Sequence, residues 1–278
     1  IESPKLLQLS GIGDAEQLRA LGIDVVVDNP SVGRNMREHR LLFLQFALTQ
    51  PLSQNKDYSG WRLIKNAFRY FIAKTGVMAD GPYQAGGFAS TGVNPDDARP
   101  DMQFLMAPYS LDFSQEKMGF ETQHGMQVFG YVLRPTSQGE VTLRSANPSD
   151  PPRIRANYQD TDYDRKTSIA MVRFLRELMA QPSLKPFLMA ETTPGSAVQS
   201  DDEILASFAR FGQSGYHAAG TCRMGVDDGA VVDGKLKVRG VSGLRVMDLS
   251  ILPTMISGNT NAPMMAMAWR AADLILGE

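Results

Sequence analysis

The chain is poor in the groups that build metal, disulfide and membrane proteins. Of its 278 residues one is cysteine and three are histidine. Cys222 alone excludes an internal disulfide and any thiolate zinc cluster. His39, His124 and His217 are far apart in sequence, which argues against a histidine-rich metal site. No run of 18 apolar residues occurs, so no segment reads as a membrane span. A formal charge of −2 gives no reason to expect nucleic acid or an acidic surface as partner. Asn29 and Asn147 are each followed by proline, so no glycosylation sequon is present. With no signal or transit peptide visible, these absences point to the cytoplasm, and to a bacterial rather than a secreted fungal protein.

What is present is enough to fold. Hydrophobic residues make up 43%, and the length allows roughly two domains. Gly243 to Glu278 reads as strand, turn and helix. Leu244 to Met247 is a short apolar run with Asp248 at its carboxyl end, followed by a loop carrying Pro253, Gly258, Asn259 and Asn261. Pro263 falls just inside the following helix, where its missing N–H costs nothing. Ligands of open α/β sheets bind beyond the carboxyl ends of strands, and N–H groups at a helix start meet anions. A strand and helix that merely close a sheet give the same pattern.

Upstream lies Gly215-Tyr216-His217-Ala218-Ala219-Gly220-Thr221-Cys222-Arg223-Met224-Gly225, then Val232-Asp233, Gly243-Leu244-Arg245-Val246-x-Asp248-x-Ser250-x-x-Pro253, Gly258-Asn259 and Ala262-Pro263. In order and spacing this resembles the C-terminal signature of the glucose–methanol–choline (GMC) flavoprotein oxidoreductases. Ile1-Glu2-Ser3-Pro4 through Gly11-Ile12-Gly13 resembles the second GMC signature, entered part-way. The chain therefore reads as the C-terminal portion of a longer enzyme. Gly11-x-Gly13 is no dinucleotide loop, because Glu16 stands where the third glycine belongs and a helix precedes it. Asn29-Pro30-Ser31-Val32-Gly33-Arg34-Asn35-Met36-Arg37-Glu38-His39 matches a third family stretch, with mild departures at Ser31 and Glu38.

The resemblance implies an α/β plus α+β fold: the C-terminal part of an FAD-binding, Rossmann-like domain with an inserted antiparallel-sheet substrate domain. Residues 1–40 and 212–278 would belong to the former, and 41–211 to the latter. Ser3 and Pro4 read as the start of a helix with Leu6, Leu7 and Leu9 buried, stopped by Gly11 and Gly13. Ala15 to Leu21 reads as a helical turn, and Gly22 to Val27 as a strand. Trp61, Ile64, Phe68, Phe71 and Ile72 recur at helical spacing among Arg62, Lys65, Arg69 and Lys74. Such a helix can lie on a membrane surface, but packing on its own domain is favoured. Residues 102–106, 128–133 and 141–143 alternate as strands of an antiparallel sheet covered on one face. Thr161-x-x-Asp164 and Ser200-x-x-Glu203 open two helices.

For function, the resemblance implies oxidation of a primary alcohol with hydride transfer to FAD. His217 has the pKa of a base for the hydroxyl proton. Asn259, which does not titrate, would hold the oxygen. This places the chain in the His/Asn subset. Asp248, Leu249, Asn259, Thr260, Asn261 and Pro263 fall on the cofactor side. Gln84 and Tyr216 fall on the substrate side. Choline-oxidising members often carry glutamate where this chain has Gln84, and a neutral amide offers a quaternary ammonium no counter-charge. Met102, Phe104, Met106, Tyr109, Phe113, Met118 and Phe120 suggest a pliable apolar pocket or ordinary sheet core. The implied partners are an alcohol, the N-terminal portion of the enzyme, and oxygen or a quinone as electron acceptor. His39 reads as a loop anchor, His124 as solvent-exposed, and Cys222 as a small buried residue rather than a redox thiol. A flavin-containing hydroxynitrile lyase and a non-catalytic subunit or fragment are the alternatives. A serine hydrolase is excluded by the lack of Gly-x-Ser-x-Gly.

Overall fold

The computed structural model describes residues 1–114 and 119–277. In chain order the first elements are α1 (Glu2–Leu9), β1 (Ile12–Gly13), α2 (Ala15–Ala20), β2 (Val27–Asp28), β3 (Arg40–Leu48), α3 (Gly60–Ala73), β4 (Ala85–Ala89) and β5 (Met102–Ala107). There follow β6 (Leu111–Asp112), β7 (Gly119–Phe120), β8 (Gly125–Val132), β9 (Glu140–Thr142), β10 (Arg153–Arg155) and α4 (Asp162–Met179). The last are β11 (Leu188–Thr193), α5 (Asp201–Phe211), β12 (Gln213–Ser214) and α6 (Asn261–Leu276). These pack as two compact units, one of Ile1–His39, Leu133–Asp164 and Ser214–Glu278, the other of Arg40–Val132 and Arg165–Gln213. The content is mixed α/β with antiparallel sheets, as the sequence implied.

The second unit is built on a six-stranded sheet whose main path runs β11-β3-β8-β5-β4. The alternation along its strands decides which side chain goes where. Leu42, Leu44 and Phe46 of β3 join Met102 and Val128 in one core with Met171, Val172, Leu175 and Met179 of α4 and Ile204 and Phe208 of α5. On the opposite face Phe43 lies tilted against Phe129 with ring centroids 5.0 Å apart, while buried Gln45 donates to Leu111 O and accepts from Leu111 N. The central strands are therefore covered on both faces, not one. The sequence reading counted only the periodic positions and missed that buried amides fill the other register. Residues 141–143 also leave this sheet. Val141 belongs to β9, which pairs with β10 in the first unit.

In the first unit α1 begins at Glu2 and buries Pro4, Leu7 and Gln8, a helical i, i+3, i+4 face. Leu6 is exposed, contrary to the sequence reading. Gln8 takes its inward place because its amide donates to Val32 O and Val141 O. Gly33 is needed there. At φ +86° a Cβ would sit 2.1 Å from Val141 O. The strand expected over 22–27 is only Val27–Asp28, paired in parallel with β1, since Ile12–Gly13 offers two residues of backbone. Residues 244–247 likewise form no strand. Arg245 makes a single bridge to Lys237, and positive-φ turns at Gly240 and Gly243 limit the pairing.

The two capping signals hold. Ser200 and Glu203 form a reciprocal capping box on α5, and Asp164 N donates to Thr161 Oγ1 at the start of α4. The packing expected for α3 does not occur: no side chain of it is buried, with Trp61 and Phe68 largely exposed. His124 is half-buried, not solvent-exposed, because Ser53 Oγ reaches its Nδ1 at 2.8 Å. Among the described residues no helix is long and apolar enough to cross a membrane.

Candidate active site

The segment from Ser214 to Met224 has almost no regular structure and is held instead by hydrogen bonds on both sides. On one side Gly215 N donates to His39 O, and Arg37 and Ala219 exchange backbone bonds. On the other, Gly220, Cys222 and Met224 donate to Leu249, Ser250 and Ile251 carbonyls. His217 therefore sits in a strip whose backbone polar groups are largely committed.

Glu38 and His39 close the first side. One oxygen of Glu38 accepts the N–H of His217 at 2.8 Å and that of His39 at 2.9 Å. The other accepts the Ser214 hydroxyl at 3.0 Å. Burial pushes the Glu38 carboxyl above its usual range, against the pull of these donors. The His39 ring is fully buried, with Nε2 3.0 Å from Leu133 O and Nδ1 2.8 Å from His217 Nδ1. The two rings meet edge-on, 87° apart. Burial lowers His39 to about 3, and the same cause lowers half-buried His217. Both are neutral at neutral pH.

On the second side Asp248 caps the short helical turn Leu249–Ile251 by accepting from Ser250 N at 2.7 Å, and it also accepts the Ser3 hydroxyl. Burial pushes its carboxyl up, but these two donors hold it below the usual range. Cys222 lies fully buried beneath, its thiol pushed up to about 12 by burial, as suits a packing residue. Ala219, Leu252 and Met255 form a small core that ties the His217 strip to the start of α6. Gly258, at φ +153°, makes a turn that a side chain would resist. Asn259 is exposed, and Thr260 caps α6 without a side-chain hydrogen bond. Asn261 and Ala262 are exposed in its first turn, with Pro263 at the third position.

The first unit thus brings His217, Asp248 and Leu249 into one hydrogen-bonded assembly that leads through the Ala219 core to Asn259, Thr260, Asn261 and Pro263. Tyr216 stands beside His217, 83% exposed at φ +59°. Gln84 belongs to the second unit. There it lines a cavity of about 280 Å³ with Leu48, Met106, Met126 and Phe187. Met102 is core, Met106 faces the cavity, and Met118 lies outside the described residues. Sequence reasoning missed Glu38 and the contact of His39 with His217. The signal available was an acid beside a histidine in a stretch with no helix or strand period. Among the described residues no cluster of three His, Cys, Asp or Glu is placed to hold a metal.

Comparison with known proteins gives consistent results. The family model described as GMC oxidoreductase matches residues 135–268. The oxygen-dependent choline dehydrogenase of Pseudomonas fluorescens (strain SBW25) is 37% identical over 278 residues, all of this chain and 48% of that protein. The mitochondrial choline dehydrogenase of Mus musculus is 41% identical over 281 residues, covering 100% of this chain and 46% of its own. The chain spans about half the length of the curated relatives it matches. Among solved structures, an Aspergillus oryzae RIB40 formate oxidase studied for its FAD modification superposes with a TM-score of 0.88 at 26% identity. That match covers 99% of this chain and 52% of the oxidase.

Proposed function

The chain belongs to the GMC oxidoreductases, and on that premise we propose that it is the portion of an FAD-dependent, alcohol-oxidising enzyme that carries the proton-accepting histidine. One observation carries the reading: the half-buried His217, its pKa lowered by burial, donates its N–H to Glu38 and lies between the backbone-bonded Gly215 and Ala219. A neutral imidazole in a rigid strip takes a hydroxyl proton without reorganising. Asn259 holds the substrate oxygen as charge develops on it. FAD, when bound, supplies the hydride acceptor. On this reading the first unit is the C-terminal part of a Rossmann-like flavin domain, and the second is the substrate domain.

The residues present fit such a cofactor. The uncapped N–H groups at the exposed start of α6 suit a ring that gains negative charge. Leu249, Asn259, Thr260, Asn261 and Pro263 would hold it. Asp248 acts from behind, its carboxylate engaged by Ser3 and Ser250. The relatives named above are dehydrogenases and an oxidase, which weighs against the lyase alternative. Because the chain spans about half of each curated relative, a further portion of the enzyme is assigned to complete the flavin site. Residues 1–278 refolded with FAD are then expected to retain less than stoichiometric flavin. A one-to-one flavin spectrum would refute that part.

The substrate is assigned as a neutral, partly apolar primary alcohol. Gln84 is uncharged and its cavity neighbours are apolar. The curated relatives are named for choline, so the experiment is a direct contest. With the complete flavoenzyme and an artificial acceptor, kcat/KM for benzyl alcohol is expected to exceed that for choline or glucose by about tenfold. Preference for choline would overturn the substrate assignment. No flavin bleaching by any primary alcohol under anaerobic conditions would overturn the function itself.

A further inference from the structure

The ring pair beneath the strip decides which nitrogen of His217 does the work. We propose that His39 is a positioning residue that fixes the His217 tautomer: His39 Nε2–H donates to Leu133 O, His39 Nδ1 accepts His217 Nδ1–H, and the proton-accepting nitrogen of His217 is Nε2. This rests on the reading of His217 as the base.

The argument is a matter of matching donors to acceptors. Leu133 O only accepts, so the nitrogen 3.0 Å from it must carry a hydrogen. A neutral imidazole carries one hydrogen, so His39 Nδ1 is then a bare acceptor. Its partner 2.8 Å away is His217 Nδ1, which must donate. The lone pair of His217 is thereby assigned to Nε2, the nitrogen further from its own backbone. Were His39 a cation, its Nδ1–H would point at His217 Nδ1, and His217 would carry its hydrogen on Nε2, where it is useless as a base. Full burial of the His39 ring excludes the cation at neutral pH. The backbone geometry supports the pairing. A single Glu38 oxygen holds the N–H groups of both histidines. Gly215 also leaves room, since a Cβ there would lie 3.3 Å from His217 Nδ1.

NMR of ring nitrogens in histidine-labelled complete flavoenzyme reads tautomers directly, with His39→Gln and His217→Gln serving to assign the two rings. His39 is expected as Nε2–H and His217 as Nδ1–H across about pH 6 to 8. His217 found as Nε2–H in the wild type overturns the proposal, whatever the variants do. His39→Leu removes the acceptor, so His217 is expected to move toward the Nε2–H form with kcat/KM falling about 10–100-fold. His39→Gln, whose amide oxygen can accept from Nδ1–H, should recover part of that loss. An unchanged His217 tautomer in His39→Leu also overturns it. If the tautomers are as stated but His217→Ala keeps full activity, the base assignment fails and the pairing stands.

Discussion

Replacing His217 by alanine in the complete flavoenzyme is expected to slow anaerobic flavin reduction by alcohol about 10²–10⁴-fold while FAD stays bound. The size follows from the role. Without a positioned base the hydroxyl proton must leave to solvent as hydride departs, and general-base assistance is worth that range. Flavin retention follows from the geometry, because the loop and helix start from Leu249 to Pro263 are fixed by backbone bonds and the Ala219 core, not by the imidazole. The pH profile supplies a second check. Burial lowers the His217 pKa below 6.5, so the acid limb of kcat/KM should fall off below that value. His217→Ala should lose this limb along with its rate. Unchanged reduction kinetics in the variant would show that the proton goes elsewhere.

The candidate site was read from an ordered run of residues that resembles a family signature, and the roles given to them follow from that resemblance. His217, Asn259 and the turn residues between them stand in a fixed sequence of glycines, prolines and small residues that few backbones accommodate. Gly258 at φ +153° is one place where the backbone itself demands the residue. The helix start before Pro263 and the Ser200–Glu203 box were legible in local order, since each is a contact within a few residues.

What was not legible depends on partners distant in the chain. Gln8 is buried because carbonyls of Val32 and Val141 meet it, and no helical pattern reveals that. Gln103 alternates with Met102 and Phe104 on β5 and yet is buried, so the alternation did not mark an open face. Val141 alternates like its neighbours in sequence, yet its strand pairs with 153–155 and packs with α1 in the other unit. Most consequential is His39. As a lone histidine in a loop it reads as an anchor. Only the approach of a segment 178 residues away turns it into the partner of His217.

That buried ring makes a second large prediction. The His39 pKa falls from 6.5 in the unfolded chain to about 3 in the folded one, because a charged imidazole would lose its hydration. A depressed folded pKa means that the unfolded state binds the extra proton first as pH drops. Stability is therefore complete above pH 6.5 and is lost as pH falls through the window down to about 3. The full span corresponds to about 4–5 kcal/mol, of which about 2 kcal/mol is lost between pH 7 and pH 5. Glu38 and Asp248 in the same assembly also titrate with shifted pKa values, Glu38 with the opposite sign. The measurement is therefore a difference. Urea unfolding of wild type and His39→Gln is followed from pH 7 to pH 5, so that groups common to both largely cancel. The stability advantage of the wild type should shrink by about 2 kcal/mol over that range. A constant difference would mean that His39 keeps its proton equilibrium on folding, and with it the option of becoming the cation that the pairing with His217 forbids.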